Sequence, residues 1–408
     1  MPPLVEIEAG SLPENTIMKK TLALLLLLAG LTLEAQGRTL TWTGGYEWNT
    51  QDATWVDEEG NPAVFKDGDN VQFFMHDFVS FIKLSGDLAP ASMLFDNDSN
   101  NFEFGGTGNL SGNMQLTKTG DGILRINVSN DYWGGTNVLG GTIQMGDNSH
   151  DRAFGFGAVT LGDNTELNLG MNTIMCDSVI VNGNNVTIVC GETIACLLTV
   201  RAGQSLKLGS DLFHDFPLIL GEGATINLNN YTFTHLTNPF VGITLEGSAT
   251  IGNGAFNGDF AVASSNTLAL CGNLSGSGNV TLRDNATINL NNHTLFKAVG
   301  LEGNNTIGNG SLSTNVTVKE GAQAHFSGET RITGAGAITV EEDATTVKAL
   351  DPATTGLLKE LTVSKGLIAG TDRQSSLATG LEIESTAALI IKGMTITADN
   401  KISVGDNT

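Results

Sequence analysis

The sequence predicts an all-β fold: a single-stranded parallel solenoid with an aromatic-rich β cap at its N-terminal end. Three observations carry this. The first is a repeat of about twenty residues, a period that marks solenoids. An apolar residue, a turn holding Gly, Asn or Asp, and a second apolar residue recur along most of the chain. The first position is filled by Leu161, Val181, Val200, Leu220, Leu245, Val262, Leu282, Leu301, Val318, Val340, Val363 and Ile383. The second is filled by Leu167, Val186, Leu206, Ile226, Ile251, Leu268, Ile288, Ile307, Ala324 and Leu389. The second observation is alternation inside the copies, as in Leu167-Asn168-Leu169 and Ile226-Asn227-Leu228. Period two belongs to strands and not to helices. The third is composition: 51 Gly, 8 Pro and 15% charged residues suit short strands joined by tight turns. Gly and Asn enter the left-handed region cheaply. One such unit cannot bury its own apolar face, but stacked units can.

Taken in order, the chain opens with residues 1–17, which read as a non-native extension upstream of Met18. Met18-Lys19-Lys20-Thr21 begins a basic segment, and Leu22 to Leu33 is a nearly unbroken apolar run. With small residues at Ala35 and Gly37, residues 18–37 read as a secretory signal peptide cleaved after one of them. The run is too short for a hydrocarbon layer of about 30 Å, so no membrane-spanning segment is expected in the mature chain.

Residues 38–104 form the expected capping region. Trp42, Tyr46, Trp48 and Trp55 cluster there, followed by Phe65, Phe73, Phe74, Phe78 and Phe81. An open solenoid end presents unpaired strand edges that need cover. The alternative is a carbohydrate-binding platform built from the same tryptophans.

The solenoid proper is expected over 105–408. Ala224-Thr225-Ile226-Asn227-Leu228-Asn229-Asn230 returns as Ala286-Thr287-Ile288-Asn289-Leu290-Asn291-Asn292. Thr250 to Gly254 returns as Thr306 to Gly310, so a duplicated unit of three coils is expected, with a loop at Thr234 to Val241. Lys348 to Lys359 reads as a helical insert or a wider loop. Strand pattern runs on to Ile396, Ile402 and Val404, so the C-terminal end lacks a cap of its own. The expectation is a chain truncated there, or one that associates end to end.

The formal charge is −23. Acidic surfaces repel phosphate, which argues against nucleic acid and anionic membranes. Glu222, Glu246, Asp284, Glu302, Glu320 and Glu341-Glu342-Asp343 fall in turns after the first apolar position, so stacked coils make an acidic stripe. It reads as a solubility device, with a row of calcium sites as the alternative. Among the four cysteines, Thr173-Ile174-Met175-Cys176 recurs as Thr193-Ile194-Ala195-Cys196. One coil of separation is about 4.8 Å, within disulfide reach. Two stacked free thiols remain equally open. Cys190 and Cys271 have no such mate.

Residues 115–170 resemble the autotransporter-associated β-strand repeat. The resemblance rests on Leu116-Thr117-Lys118-Thr119-Gly120, Tyr132-Trp133-Gly134-Gly135-Thr136 and Gly140-Gly141-Thr142-Ile143. Thr41-Trp42-Thr43-Gly44-Gly45 is similar to the opening of such passenger-type proteins. The resemblance implies a right-handed parallel β-helix, exported and shown at or beyond the outer membrane. It implies no catalytic residue. A C-terminal membrane-barrel pattern is lacking, so the mode of anchoring is open.

A glycosidase needs two carboxylates about 5–9.5 Å apart; neighbouring coils could supply them, for instance Glu246 near Glu222, as would any acidic turn stripe. Arg201 and Arg283 lack the Asp cluster that a calcium-assisted lyase needs. Asp67-Gly68-Asp69-Asn70 and Asp96 to Asn100 lack the distal Glu of a calcium loop and read as turns. Gly105 to Gly108 and Gly334-Ala335-Gly336 open no helix, so neither cradles phosphate. Asn pairs at 184–185, 229–230, 291–292 and 304–305 are expected in left-handed turns stacked as amide ladders. The reading is therefore a non-enzymatic structural or adhesin-like β-helix, without metal, cofactor or catalytic residue. Its partners would be glycans or cell-surface proteins. A glycan-active β-helix enzyme and a tryptophan-based carbohydrate-binding module are the alternatives.

Overall fold

A computed structural model describes residues 37–319, apart from 75–80, 99–100, 148–150, 237–242, 246 and the side chains of a few strand residues. Beyond 319 it describes Ala322 and separate strands ending at Ile402–Val404. The upstream extension and all but the last residue of the expected signal segment lie outside the described residues. Every described element is a strand, and no helix occurs among the described residues.

The strands stack as a parallel β-solenoid with one sheet of 20 strands, one of 16, one of 8 and a small one of two. A coil from the middle shows the plan. Leu197–Val200 joins the first sheet, Ser205–Leu208 the second and Leu212–His214 the third, before Leu218–Leu220 returns to the first. Burial alternates along each of these, so one set of side chains points inward.

The first-position residues stack as expected. Leu161 lies beside Val181, Val181 beside Val200, Val200 beside Leu220, and Leu220 beside Leu245. The column continues from Val262 through Leu282, Leu301, Val318 and Val340 to Val363. Its last expected member departs: Val363 pairs with Ile391, and Ile383 pairs with Leu358.

The second column slips by two residues in three places. Leu167 pairs with Ile188 and not Val186, Ile251 with Leu270 and not Leu268, and Ile307 with Phe326 and not Ala324. A two-residue slip keeps every side chain on its own face of the pleat, so the core tolerates it. Leu389 belongs to the first sheet, beside Leu361.

The parallel ladder begins earlier than residue 105. Leu40 pairs with Val71, and Val71 with Met93. Residues 39–104 therefore hold the first coils as well as the aromatic cluster. The cluster includes an antiparallel excursion in which Trp42 pairs with Trp55, and Trp55 with Ala63. Trp48 sits at its centre, 5.2 Å from the rings of Trp55 and Phe65 and 5.5 Å from Phe73.

The duplicated unit folds alike in both copies. Ala224–Asn227 and Thr287–Asn289 are three coil steps apart in the second sheet. Asn229 and Asn230 take φ of 52° and 66°, and Asn291 and Asn292 take 47° and 64°. Amide ladders form at Asn185–Asn164 and Asn253–Asn227, both at 3.0 Å. Asn304 and Asn305 differ from expectation: they start the strand Asn304–Gly308. Asn305 is buried there, and its amide donates to Glu302 O and Gly303 O. At the expected insert, Lys348 closes Thr346–Lys348 and Lys359 lies in Leu358–Ser364, both strands, while residues 349–357 lie outside the described set.

Candidate functional site

The N-terminal tryptophans do not form a platform. Trp42, Trp48 and Trp55 are 6%, 0% and 0% exposed, and only Tyr46 of that group faces solvent. Their payload goes into the core, because indole rings carry far more apolar surface than a short strand can otherwise bury.

The acidic turns have structural work. A turn lies outside the sheet ladders, so the N–H groups of the next coil need another acceptor. Asp163 Oδ1 accepts from Asn184 N at 2.6 Å, Glu222 Oε2 from Ser248 N at 2.6 Å, and Asp259 Oδ1 from Asn279 N at 2.6 Å. Asp67 Oδ1 accepts from Ala89 N at 2.9 Å, and Asp69 Oδ2 from Lys66 N at 2.9 Å, so this metal-like loop is a turn tied to backbone. Glu222 is thus committed to a turn, and Glu246 lies outside the described residues. Arg201 donates to Asn182 Oδ1. Among the described residues, no group of three His, Cys, Asp or Glu is placed to hold a metal. Nor is any helix long and apolar enough to cross a membrane.

The exposed chemistry lies elsewhere. Asp131 N donates to Leu110 O and Trp133 N to Gly112 O, which fixes this segment on the third face of the solenoid. Alternation then points Tyr132 inward, with its hydroxyl 2.7 Å from Thr136 Oγ1, and Trp133 outward. Trp133 is 65% exposed. One coil on, Phe156 N donates to Tyr132 O, and its ring stacks on Trp133 at 4.5 Å between centroids and 19° between planes. The Arg152 guanidinium lies 4.7 Å from the Phe156 centroid, with Asp151 3.9 Å from Arg152 Nε. Met175, half-exposed, follows in the next coil, its N–H donating to Asp151 O. Offset rings topped by a cation form a rigid platform with an apolar face and a polar rim. In the sequence, Trp133 stands inside the motif Tyr132-Trp133-Gly134-Gly135-Thr136. The signal available was alternation: with Tyr132 inward, Trp133 has to point out.

Two lysines are buried, Lys118 and Lys297. Lys118 donates to Thr119 O, Gly120 O and Gly140 O at 2.6, 2.7 and 3.3 Å. Lys297 donates to Phe256 O at 2.9 Å, Gly258 O at 3.0 Å, and to Ser277 O. Burial lowers both ammonium groups to about 8, opposed at Lys118 by Asp96, Asp121 and Asp98 and at Lys297 by Asp259. Each ammonium gathers three backbone carbonyls, of which Thr119 O and Ser277 O also accept the N–H groups of Asn97 and Gly258. Both ammonium groups brace the turns around them.

The same segment decides the likeness to known proteins. Residues 116–145 match the passenger-associated-transport-repeat family. The match runs from Leu116, in the strand Gln115–Thr119, to Met145, the end of Thr142–Met145. It bears out the resemblance to a passenger-type β-helix of autotransporters. The glycines of this transport repeat stand where coils touch. A Cβ on Gly134 would come 2.3 Å from Met114 O, and one on Gly141 would come 2.5 Å from Gly122 O. No curated protein and no solved structure matches the chain.

Proposed function

We propose that this protein is an exported passenger, shown at the outer-membrane surface or secreted, with a structural or adhesive role and no catalytic activity. The observation that carries the reading is the transport repeat at 116–145, seated in the stack of parallel coils. Two features support it. Residues 18–37 have the charge, apolar run and small residues of a secretory signal. Of the turn carboxylates that a polysaccharide lyase or glycosidase would draw on, Glu222 and Asp284 accept backbone N–H groups of the next coil. Fractionation of the native host with N-terminal sequencing tests export. A mature chain starting just after Ala35 or Gly37, outside the cytoplasm, is expected, and an intact Met1 in the cytoplasm overturns it. Pectin, polygalacturonate and mucin glycans should yield no new reducing ends or unsaturated products. Turnover of any of them would replace the structural reading by an enzymatic one.

The Trp133–Phe156 stack favours a second, finer reading, adhesion to neutral glycans. A glycan array with the mature chain tests it: binding should vanish in Trp133→Ala. Binding unchanged in that variant would move the site elsewhere.

A further inference from the structure

We propose that Cys176 and Cys196 are a redox pair that closes a disulfide between successive coils. The two Sγ atoms lie 3.0 Å apart. The register supports a lasting neighbourhood. Ile174 bridges Ile194, two residues before each cysteine, and Ala195 N donates to Ile174 O at 3.0 Å. Met175 N and Asp177 N donate to Asp151 O and Phe156 O of the coil below, so Cys176 is held on both sides. Cys196 is anchored through its carbonyl, which lies 3.0 Å from His214 Nε2.

The position gives the bond a purpose. On this face the two coils share one isolated bridge and no strand ladder, whereas the next step up pairs Thr193–Ile194 with Leu212–His214. A covalent link there adds to the two backbone hydrogen bonds of that bridge, Ile174 N to Thr193 O and Ala195 N to Ile174 O, both at 3.0 Å.

Exposure assigns the order of events. Cys176 is half-buried and Cys196 is 2% exposed, so an oxidant reaches Cys176 first. The oxidant class is a small disulfide. The Cys176 thiolate attacks one of its sulfurs, an S–S bond forms, and one thiolate leaves. The Cys196 thiolate, facing Cys176 Sγ, then attacks that sulfur and expels the second thiolate. Overall the two cysteines lose two electrons and two protons, and the small disulfide becomes two thiols. Cys190 and Cys271 serve as internal controls. Cys190 is fully buried, and the Cys271 thiol faces Ile226 O at 3.7 Å.

The test uses the purified full chain. It is reduced, incubated with oxidised glutathione, denatured, alkylated and digested for mass spectrometry. The expected product is a cross-linked Cys176–Cys196 peptide pair, lighter by two hydrogens than the sum of its parts, with Cys190 and Cys271 alkylated. A stable glutathione adduct on Cys176, or full alkylation of Cys176 and Cys196, overturns the proposal. The oxidised chain should also melt at a higher temperature than the reduced one, and dithiothreitol should reverse the shift. Because both forms are wild type, this readout survives if Cys176→Ser fails to fold. An equal Tm in both forms would overturn the stapling role.

Discussion

The Asp284 carboxylate accepts the backbone N–H of Asn304, one coil further on, at 2.8 Å. Asp163, Glu222 and Asp259 do the same for their upper neighbours. A solenoid has sheet ladders on its faces and none at its corners. Short acidic side chains take over the acceptor role there. The acidic stripe is therefore mortar between turns as well as surface charge.

The first prediction concerns this contact. Asp284→Ala leaves the Asn304 N–H to water, so the loss should be at the low end for a charged acceptor, about 1.5 kcal/mol. Asp284→Asn keeps an oxygen in place and should lose less. The sharper readout is hydrogen exchange at the Asn304 amide, which should speed up in the Ala variant with protection of the facing sheets unchanged. Unchanged exchange would remove the mortar role from this residue.

The second prediction is a pH dependence from Lys297. Burial lowers its folded-state pKa from 10.5 to about 8. Between these values the unfolded chain binds more protons than the folded one, so stability rises with pH across the window. The penalty is present below about pH 8 and is relieved as pH rises toward 10.5. Wild type should therefore gain about 2 kcal/mol on Lys297→Met between pH 8 and 10. Denaturant titrations of both proteins at the two pH values check it. A constant difference would mean that the carbonyls of Phe256, Gly258 and Ser277 hold the ammonium as well as water does.

The third prediction separates the four tryptophans. Trp42, Trp48 and Trp55 are buried and Trp133 is exposed. Iodide should quench one component of the fluorescence, and Trp133→Phe should abolish that component. The same change should leave Tm within a degree or two, since a surface substitution away from the core moves stability little. By contrast Trp48→Ala should cost roughly 3–5 kcal/mol, the range for a buried aromatic. Quenching that persists in Trp133→Phe would show that the N-terminal cluster opens.

Much of the fold is legible in the residues. Leu161 through Leu245 read as one column because apolar and polar residues alternate on both sides of regular turns. The slips at Leu167, Ile251 and Ile307 are not legible, because Val186 and Ile188 are equally apolar and two residues apart. Either fills the core, and packing against the neighbouring coil chooses. Asn304 and Asn305 mislead for a related reason. Asparagine suits a left-handed turn, yet Asn305 satisfies its buried amide with the carbonyls of Glu302 and Gly303 and so starts a strand. Lys118 was readable and overlooked: Leu116 is inward, and alternation puts Lys118 inward too. The candidate platform is legible in part: alternation turns Trp133 outward once Tyr132 is inward, but its stacking on Phe156 depends on the register between coils, which no local pattern encodes.

The last prediction tests why the transport repeat holds its glycines. Gly120 has φ of +73°, and a Cβ there would lie 2.4 Å from Asn97 O and 2.5 Å from Asn97 C. Asn97 has little room to yield. Its N–H donates to Thr119 O at 3.3 Å, and its carbonyl accepts from Gly122 N at 2.8 Å. Gly203 is the matched control, with φ of +70° and nothing within 4 Å of its Cβ position. An alanine at either site meets the left-handed penalty of roughly 1–2 kcal/mol. Only Gly120→Ala also forces two coils apart against their hydrogen bonds. Gly203→Ala should therefore lose roughly 1–2 kcal/mol, and Gly120→Ala at least about twice that, with the excess assigned to overpacking. Urea denaturation of the two variants decides it. Equal losses would mean that Gly120 is there for its backbone angles alone, and the coil-contact account of the repeat glycines would fail with it.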